Sequence, residues 1–420
     1  MAVKPKLCMI PSGVGTDTLY SVLPADGTGD FTFDRNLNTA TRVNKDGLIE
    51  MVDADVPRLN YPMIDGVVSG CPSLLLEPAR TNLIQYSEDF SNAYWTPANS
   101  NRVSNYGVSP NGFTNATLIY PLSNSSNVGL YTSSSISTTG TVSCFVKSYG
   151  KDFALLGTDN TTNYHCVFDL ANELIVAEPT NHKGKIEKYP NGWYRISSTY
   201  VSSAALTYPF IGVADNSNGT VIADGNNGIL IFGMQYEHEA FPTSYIPSLS
   251  NSQTTRSAET CNGAGDANTF NDSEGVLMVE ASALADSSNF RNLSLSDGTT
   301  SNLISIIFTN TNVIRIDFTN QATLFDSNTD IKNNNKILLS YKLNEVKLYV
   351  NGFLKDIDTQ ATMPTVLNTL RFDNTIGEPL YSKTKQIQYF DSALNDTDLE
   401  ELTSWVSFTD MANSQLYSIQ

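Results

Sequence analysis

Along most of this chain apolar side chains recur at every second position in short runs, and stretches rich in Asn, Ser, Thr and Gly separate the runs. A two-residue repeat puts apolar groups on one face of a strand, whereas a helix would space them at three and four. In "TVSCFVKS" Val142, Cys144 and Val146 share a face, and "NGWYRISSTYV" opens on an Asn191-Gly192 turn before an aromatic strand. "GILIFGMQYE" is apolar enough to predict a strand covered on both sides. In "KILLSYKLNEVKLYVNGFLKDID" Ile337, Leu339 and Tyr341 form one alternation and Val346, Leu348 and Val350 another, followed by Asn351-Gly352, the pair that type I′ hairpins favour. This predicts a meander of three strands. One helix is expected near the end, in "ALNDTDLEELTSW", with Asn395 as N-cap, acids in the first turn and Leu394 stapled to Leu399.

These elements predict an all-β protein with two antiparallel β-sandwich modules. The expected division is an irregular N-terminal segment (1–72), a first sandwich (73–250), a linker (251–270), a second sandwich (271–408) and a tail (409–420). The first segment carries only brief apolar patches such as "GLIEMV". A small β domain packed on the next module is the alternative for it.

The chain has 420 residues, more than one hydrophobic core commonly organises. Only 16% of them are charged and 10% are aromatic, a balance that suits strands and polar turns. The net charge of −18 argues against nucleic acid as a partner, because phosphate binding depends on Lys and Arg. Five cysteines without a C-x-x-C pair cannot form a fully paired disulfide framework, so buried, reduced thiols are expected. The start, "MAVKPKLCMIPSGVGTD", lacks the apolar stretch of a signal peptide, and no run is long enough to cross a bilayer, so folding in the cytosol without membrane insertion is expected.

The most individual stretch is "LLLEPARTNLIQYSEDFSNAYW", Leu74 to Trp95. With "NGWYRI" at 191–196, "MQYEHEAFPTSYIPS" at 234–248 and the "TTRSAE" that follows, it resembles a family of bacteriophage virion proteins of tails, fibres and head decorations that carry lectin-like sandwiches. The C-terminal part separately resembles concanavalin A-like or laminin G-like sandwiches through "KILLSYKLNEVKLYVNG" and "IQYFDSALNDTDLEELT". The resemblance implies a carbohydrate-binding-like jelly roll over 73–250, a concanavalin A-like sandwich over 271–408 and attachment through 1–72, in a homotrimer of a virion assembled in the host cytoplasm, with capsid or tail proteins as partners and host surface glycans as targets. Within the motif Leu74 to Leu76 are expected to form a first strand that Pro78 ends. Glu77 and Arg80 are expected to be structural, Arg80 pairing with backbone or a carboxylate to fix the chain's crossing into the sandwich. Tyr86, Phe90, Tyr94 and Trp95 are expected as core or rim aromatics.

Catalysis has little support in the sequence. The alternating acids E-x-D-x-E of concanavalin A-like glucanases are missing, and Asp356 and Asp358 follow a hairpin where solvated acids are ordinary. His165, His182 and His238 are far apart, and in "EHE" only Glu237 and Glu239 point the same way in a strand. There is no nucleophile elbow and no phosphate-binding glycine loop. "DNSNGT" (215–220) and "NDSEG" (271–275) offer oxygens for a structural calcium ion, but Asx turns explain both, and no cofactor is expected. Trp95, Trp193 and Tyr194 are the candidates for stacking on sugar rings, with burial in the core as the competing fate. The expected function is therefore a non-enzymatic structural virion protein that presents lectin-like modules. A glycan-degrading depolymerase and a secreted bacterial adhesin are the alternatives.

Overall fold

The structure, a computed structural model, describes residues 4–133, 135–136, 138–158, 165–201, 206–286, 289–319 and 322–406. The protein is all-β, with one α-helix, Asp396–Thr403, among the described residues. No helix among them is long and apolar enough to cross a membrane. The expected tail, 409–420, lies outside the described residues.

One sandwich is built from two six-stranded antiparallel sheets. The first runs Thr96–Ala98, Val128–Tyr131, Phe210–Ala214, Phe153–Gly157, His165–Asp169, Leu174–Ala177; the second runs Ser100–Val108, Thr114–Pro121, Gly228–Glu237, Thr139–Tyr149, Trp193–Val201, His182–Tyr189. Val142, Cys144 and Val146 point into the core between them, while Phe145 points outward to a second apolar layer, as the alternation requires. Gly228–Glu237 is buried along its whole length because a layer covers each of its faces.

The other sandwich has an eight-stranded and a nine-stranded sheet. Its meander, Asn335–Lys342, Glu345–Val350 and Phe353–Asp358, turns at Asn351 and Gly352, whose φ values of 51° and 87° are the left-handed pair of a type I′ turn. The Asn395 side chain caps the helix by accepting from the Asp398 N–H at 3.0 Å, and Leu399 docks it on Val276, Leu338 and Tyr349.

The chain is divided differently from the expected order. Leu74 to Leu76 do not open the first sandwich: strand Ser73–Leu76 lies between Arg58–Asn60 and Ser382–Phe390 in the second. The N-terminal segment is not a separate attachment piece either. Leu7–Met9 also pairs with Ser382–Phe390, and Phe31–Asp34 pairs with Thr260–Ala264. Its hairpin, Ala40–Val43 with Ile49–Val52, lays Val43 and Ile49 on Phe145 and Trp193 of the first sandwich. Nor is 251–270 a free linker, since Thr254–Arg256 pairs with Arg80–Asn82 and Thr260–Ala264 also pairs with Thr369–Arg371. The first sandwich is thus inserted into the second. Strands this short lack a readable period, and their burial is sustained by polar pairing, as where Asn262 Nδ2 donates to Asp373 Oδ2 at 2.9 Å.

Candidate functional site: the cleft between the sandwiches

Where the chain leaves one sandwich and returns from the other, five buried charges meet. Glu259 accepts from Arg35 Nη1 at 2.8 Å, from Arg58 Nε at 2.7 Å, from Arg58 Nη2, and from the Glu77 backbone N–H at 2.8 Å. Glu77 pairs with Arg58 at 2.9 Å and Arg256 at 3.0 Å, and accepts from the N–H and hydroxyl of Ser244 at 2.8 and 2.6 Å. Arg256 Nη2 donates to the Pro78 carbonyl at 2.7 Å. The three arginines and Glu259 are fully buried. Burial works against ionisation of Glu77, but Arg256, Arg58 and the Ser244 donors outweigh it and hold the carboxyl well below the usual carboxylate range. The motifs quoted above converge here: Glu77 comes from "LLLEPAR", Ser244 from "PTSYIPS", and Arg256 and Glu259 from "TTRSAE".

Arg80 does not belong to this cluster. It points to the outer side of the crossing, 5.4 Å over the Phe241 ring, with Nη2 3.7 Å from Glu239. The crossing is fixed by Glu77, Arg256 and Glu259, and Arg80 instead walls a cleft of about 440 Å³ between the sandwiches. Arg80, Glu239 and Phe241 form one side; Phe290, Glu378 and Tyr381 form the other. Glu378 is held in place by the amides of Asn374 at 2.7 Å and Asn292 at 3.2 Å. Three rings set among two carboxylates and a guanidinium make an amphipathic pocket within the usual size range for small ligands. The buried cluster beneath, through Pro78, fixes the spacing of the two walls.

The three residues expected to stack on sugars are elsewhere. Trp95 is 1% exposed, donates to the Tyr86 carbonyl at 3.1 Å and packs on Phe90 and Tyr94. Trp193 is 2% exposed and donates to Val108 O at 3.1 Å, at the base of an apolar groove beside Tyr106 and Tyr149. Tyr194 is buried in the core, with its hydroxyl 3.2 Å from Glu173. None of the three lines the cleft. Their area is what fills the space between sheets, so burial wins over display. The cleft's own Phe241, Phe290 and Tyr381 were missed because single aromatics in loops carry no period. "EHEAF" and "GEPLY" do set an acid close to a ring, which was the available signal.

The remaining candidates have structural partners. Strand Gly228–Glu237 ends before Glu239, so Glu237 and Glu239 do not converge. Glu237 is buried and accepts from Thr243 N and Oγ1 at 2.9 and 2.6 Å, whereas Glu239 faces the cleft. Asp356 accepts from Phe325 N and Asp358 from Gln360 N. In "DNSNGT" Asp215 pairs with the Lys151 ammonium at 2.9 Å, so a side-chain cation stands where a metal was considered. In "NDSEG" Asn271 forms an Asx turn to Ser273 and Asp272 accepts from Val366 and Leu367. Among the described residues no group of three or more His, Cys, Asp or Glu could hold a metal ion. The cysteines are free, and Cys71 is exposed where buried thiols were expected. Burial pushes the Cys144 thiol up to about 12.

With its paired sheets and crossing strands, the chain is an all-β protein of jelly-roll-like antiparallel sandwiches. No family model and no curated protein sequence matches it. Among solved structures it is similar to the CBM40 domain of a Ruminococcus gnavus IT-sialidase bound to alpha2,3 sialyllactose, at 18% identity over 34% of this chain and 87% of that one, with a TM-score of 0.30. It is also similar to a leech intramolecular trans-sialidase (17% identity, 33% and 24% of the chains, TM-score 0.28). A third is the receptor-binding domain of a botulinum neurotoxin mosaic serotype C/D (16%, 34% and 39%, TM-score 0.27).

Proposed function

We propose that this chain is a non-enzymatic structural protein of a tailed-phage virion that holds a short host-surface glycan in the cleft between its sandwiches. The observation that carries the glycan reading is the cleft itself, where Phe241, Phe290 and Tyr381 stand among Arg80, Glu239 and Glu378 on walls that a buried charge cluster keeps in register. The virion reading, with assembly as a homotrimer on capsid or tail proteins, rests on the resemblance carried by "LLLEPARTNLIQYSEDFSNAYW" and its companion motifs. A glycan array probed with the full chain tests the first part. Binding that Phe241→Ala and Phe290→Ala each weaken roughly five-fold or more supports it, since one aromatic contact is worth about 1 kcal/mol or more. Binding unchanged in both variants refutes it. Antibody-labelled electron micrographs of virions test the second.

Two carboxylates lining one cleft favour a glycosidase as the second reading. Both are held as acceptors, Glu378 by two amides and Glu239 beside Arg80, and neither sits in the apolar pocket that keeps a general acid protonated. Incubation with capsule polysaccharide should release no oligosaccharide. Release that Glu239→Gln or Glu378→Gln abolishes would establish the enzyme instead.

A further inference from the structure

A second recess between the sandwiches, of about 120 Å³, has a different character. Lys185, Glu187 and Arg195 reach it from the first sandwich and Lys383 from the second. Arg195 is 7% exposed, lies 5.6 Å over the Phe145 ring and donates from Nη2 to Ser143 Oγ at 3.1 Å. Its Nε has no hydrogen-bond partner, and among the described residues no carboxylate forms an ion pair with it. Lys383 is exposed at the recess, and its ammonium makes neither a hydrogen bond nor an ion pair among the described residues.

Among the other charges, Arg42 pairs with Glu50 at 2.9 Å, Glu77 is shared by Arg58 and Arg256, and Lys185 pairs with Glu187 at 2.8 Å. Glu187, directly opposite Arg195 in the strand register, is then the one carboxylate set against Lys185, Arg195 and Lys383 together. Two cations from different sandwiches are therefore left facing one small space. In a chain with 43 acidic and 25 basic residues this is a local inversion of charge. A buried guanidinium with free donors is a costly arrangement unless an anion completes it, and its planar fork matches an oxyanion edge.

We propose that this recess binds a small oxyanion of the sulfate or phosphate type, bridging Arg195 of one sandwich to Lys383 of the other. The recess has room for such an ion with attendant waters. The bound ion adds a second tie between the sandwiches beside the buried charge cluster. This site is independent of the glycan cleft and stands whether or not that cleft holds a sugar.

The test uses the full chain and inorganic sulfate, with chloride at matched ionic strength as reference. Calorimetric titration should show one sulfate per chain, and the unfolding constant should fall about 100-fold at a sulfate concentration 100 times the dissociation constant. Sulfate also stabilises proteins by exclusion from their surface, a contribution that grows without saturating and should survive in every variant. Arg195→Gln and Lys383→Gln should each remove the saturable part and the binding heat. Lys383 is exposed, so Lys383→Gln carries the test even if the buried substitution impairs folding. No saturable response in the wild type, or an equal one in Lys383→Gln, overturns the proposal.

Discussion

Replacing Glu259 by Gln is the sharpest perturbation of the junction. The wild-type cluster sets two carboxylates, Glu77 and Glu259, against Arg35, Arg58 and Arg256, and backbone carbonyls such as Pro78 O take the surplus donors. The substitution leaves one carboxylate among three buried guanidiniums and turns an amide NH₂ toward donors that previously met an acceptor. Removing one member of a buried ion pair typically destabilises by about 3–5 kcal/mol, because the remaining charge stays desolvated. At roughly 2 °C per kcal/mol for a large domain, the melting temperature should fall by about 6–10 °C. Differential scanning calorimetry reads this directly. Because Glu259 touches the N-terminal segment and the crossing strand together, the two sandwiches should also separate into distinct transitions. Arg80→Ala is the control: its 3.7 Å pair with half-exposed Glu239 should contribute less than about 1 kcal/mol. A loss below about 1 kcal/mol for Glu259→Gln would mean that the cluster relaxes into water and does not lock the modules.

Other outcomes follow from the same contacts. His182 is 3% exposed, and burial lowers its pKa to about 4 from an ordinary value near 6.5. Its contribution is present above pH ~6.5 and is lost as pH falls toward ~4, up to about 3 kcal/mol, and denaturant melts of His182→Gln should lack that slope. The carboxyl of Glu77 is also depressed in the folded state, so its contribution is complete above the unfolded value near 4.3 and fades only below about pH 4; cooperative acid unfolding should therefore begin there. Trp95→Ala and Trp193→Ala should each lower stability by about 3–5 kcal/mol in the same melts, as core truncations do.

Periodic elements were legible in the sequence. The meander around Asn351-Gly352, the doubly covered Gly228–Glu237 and the helix capped by Asn395 could be read because each carries its signal within a few residues. The insertion of one sandwich into the other could not. It is made by strands of three or four residues, such as Leu7–Met9 and Ser73–Leu76, which pair with Ser382–Phe390 far along the chain. "LLLEPAR" stood out as individual, but which of its charges was buried depended on Arg58 and Arg256, which no local pattern connects to Glu77. The cleft shares that difficulty, since its rings reach one another only through the fold.

Pairing of Leu7–Met9 with Ser382–Phe390 has a consequence for synthesis. Apart from the short bridge between Cys8 and Leu23, this strand has no partner until about 380 further residues have been made, which at 5–20 residues per second is a wait of roughly 20–80 s. Through that interval the inserted sandwich can complete itself while its host remains open, with unsatisfied strand edges at Leu7–Met9 and Ser73–Leu76. An insertion beside Leu7–Met9 would sit against that late closure, which makes this strand a hazardous place to modify the molecule.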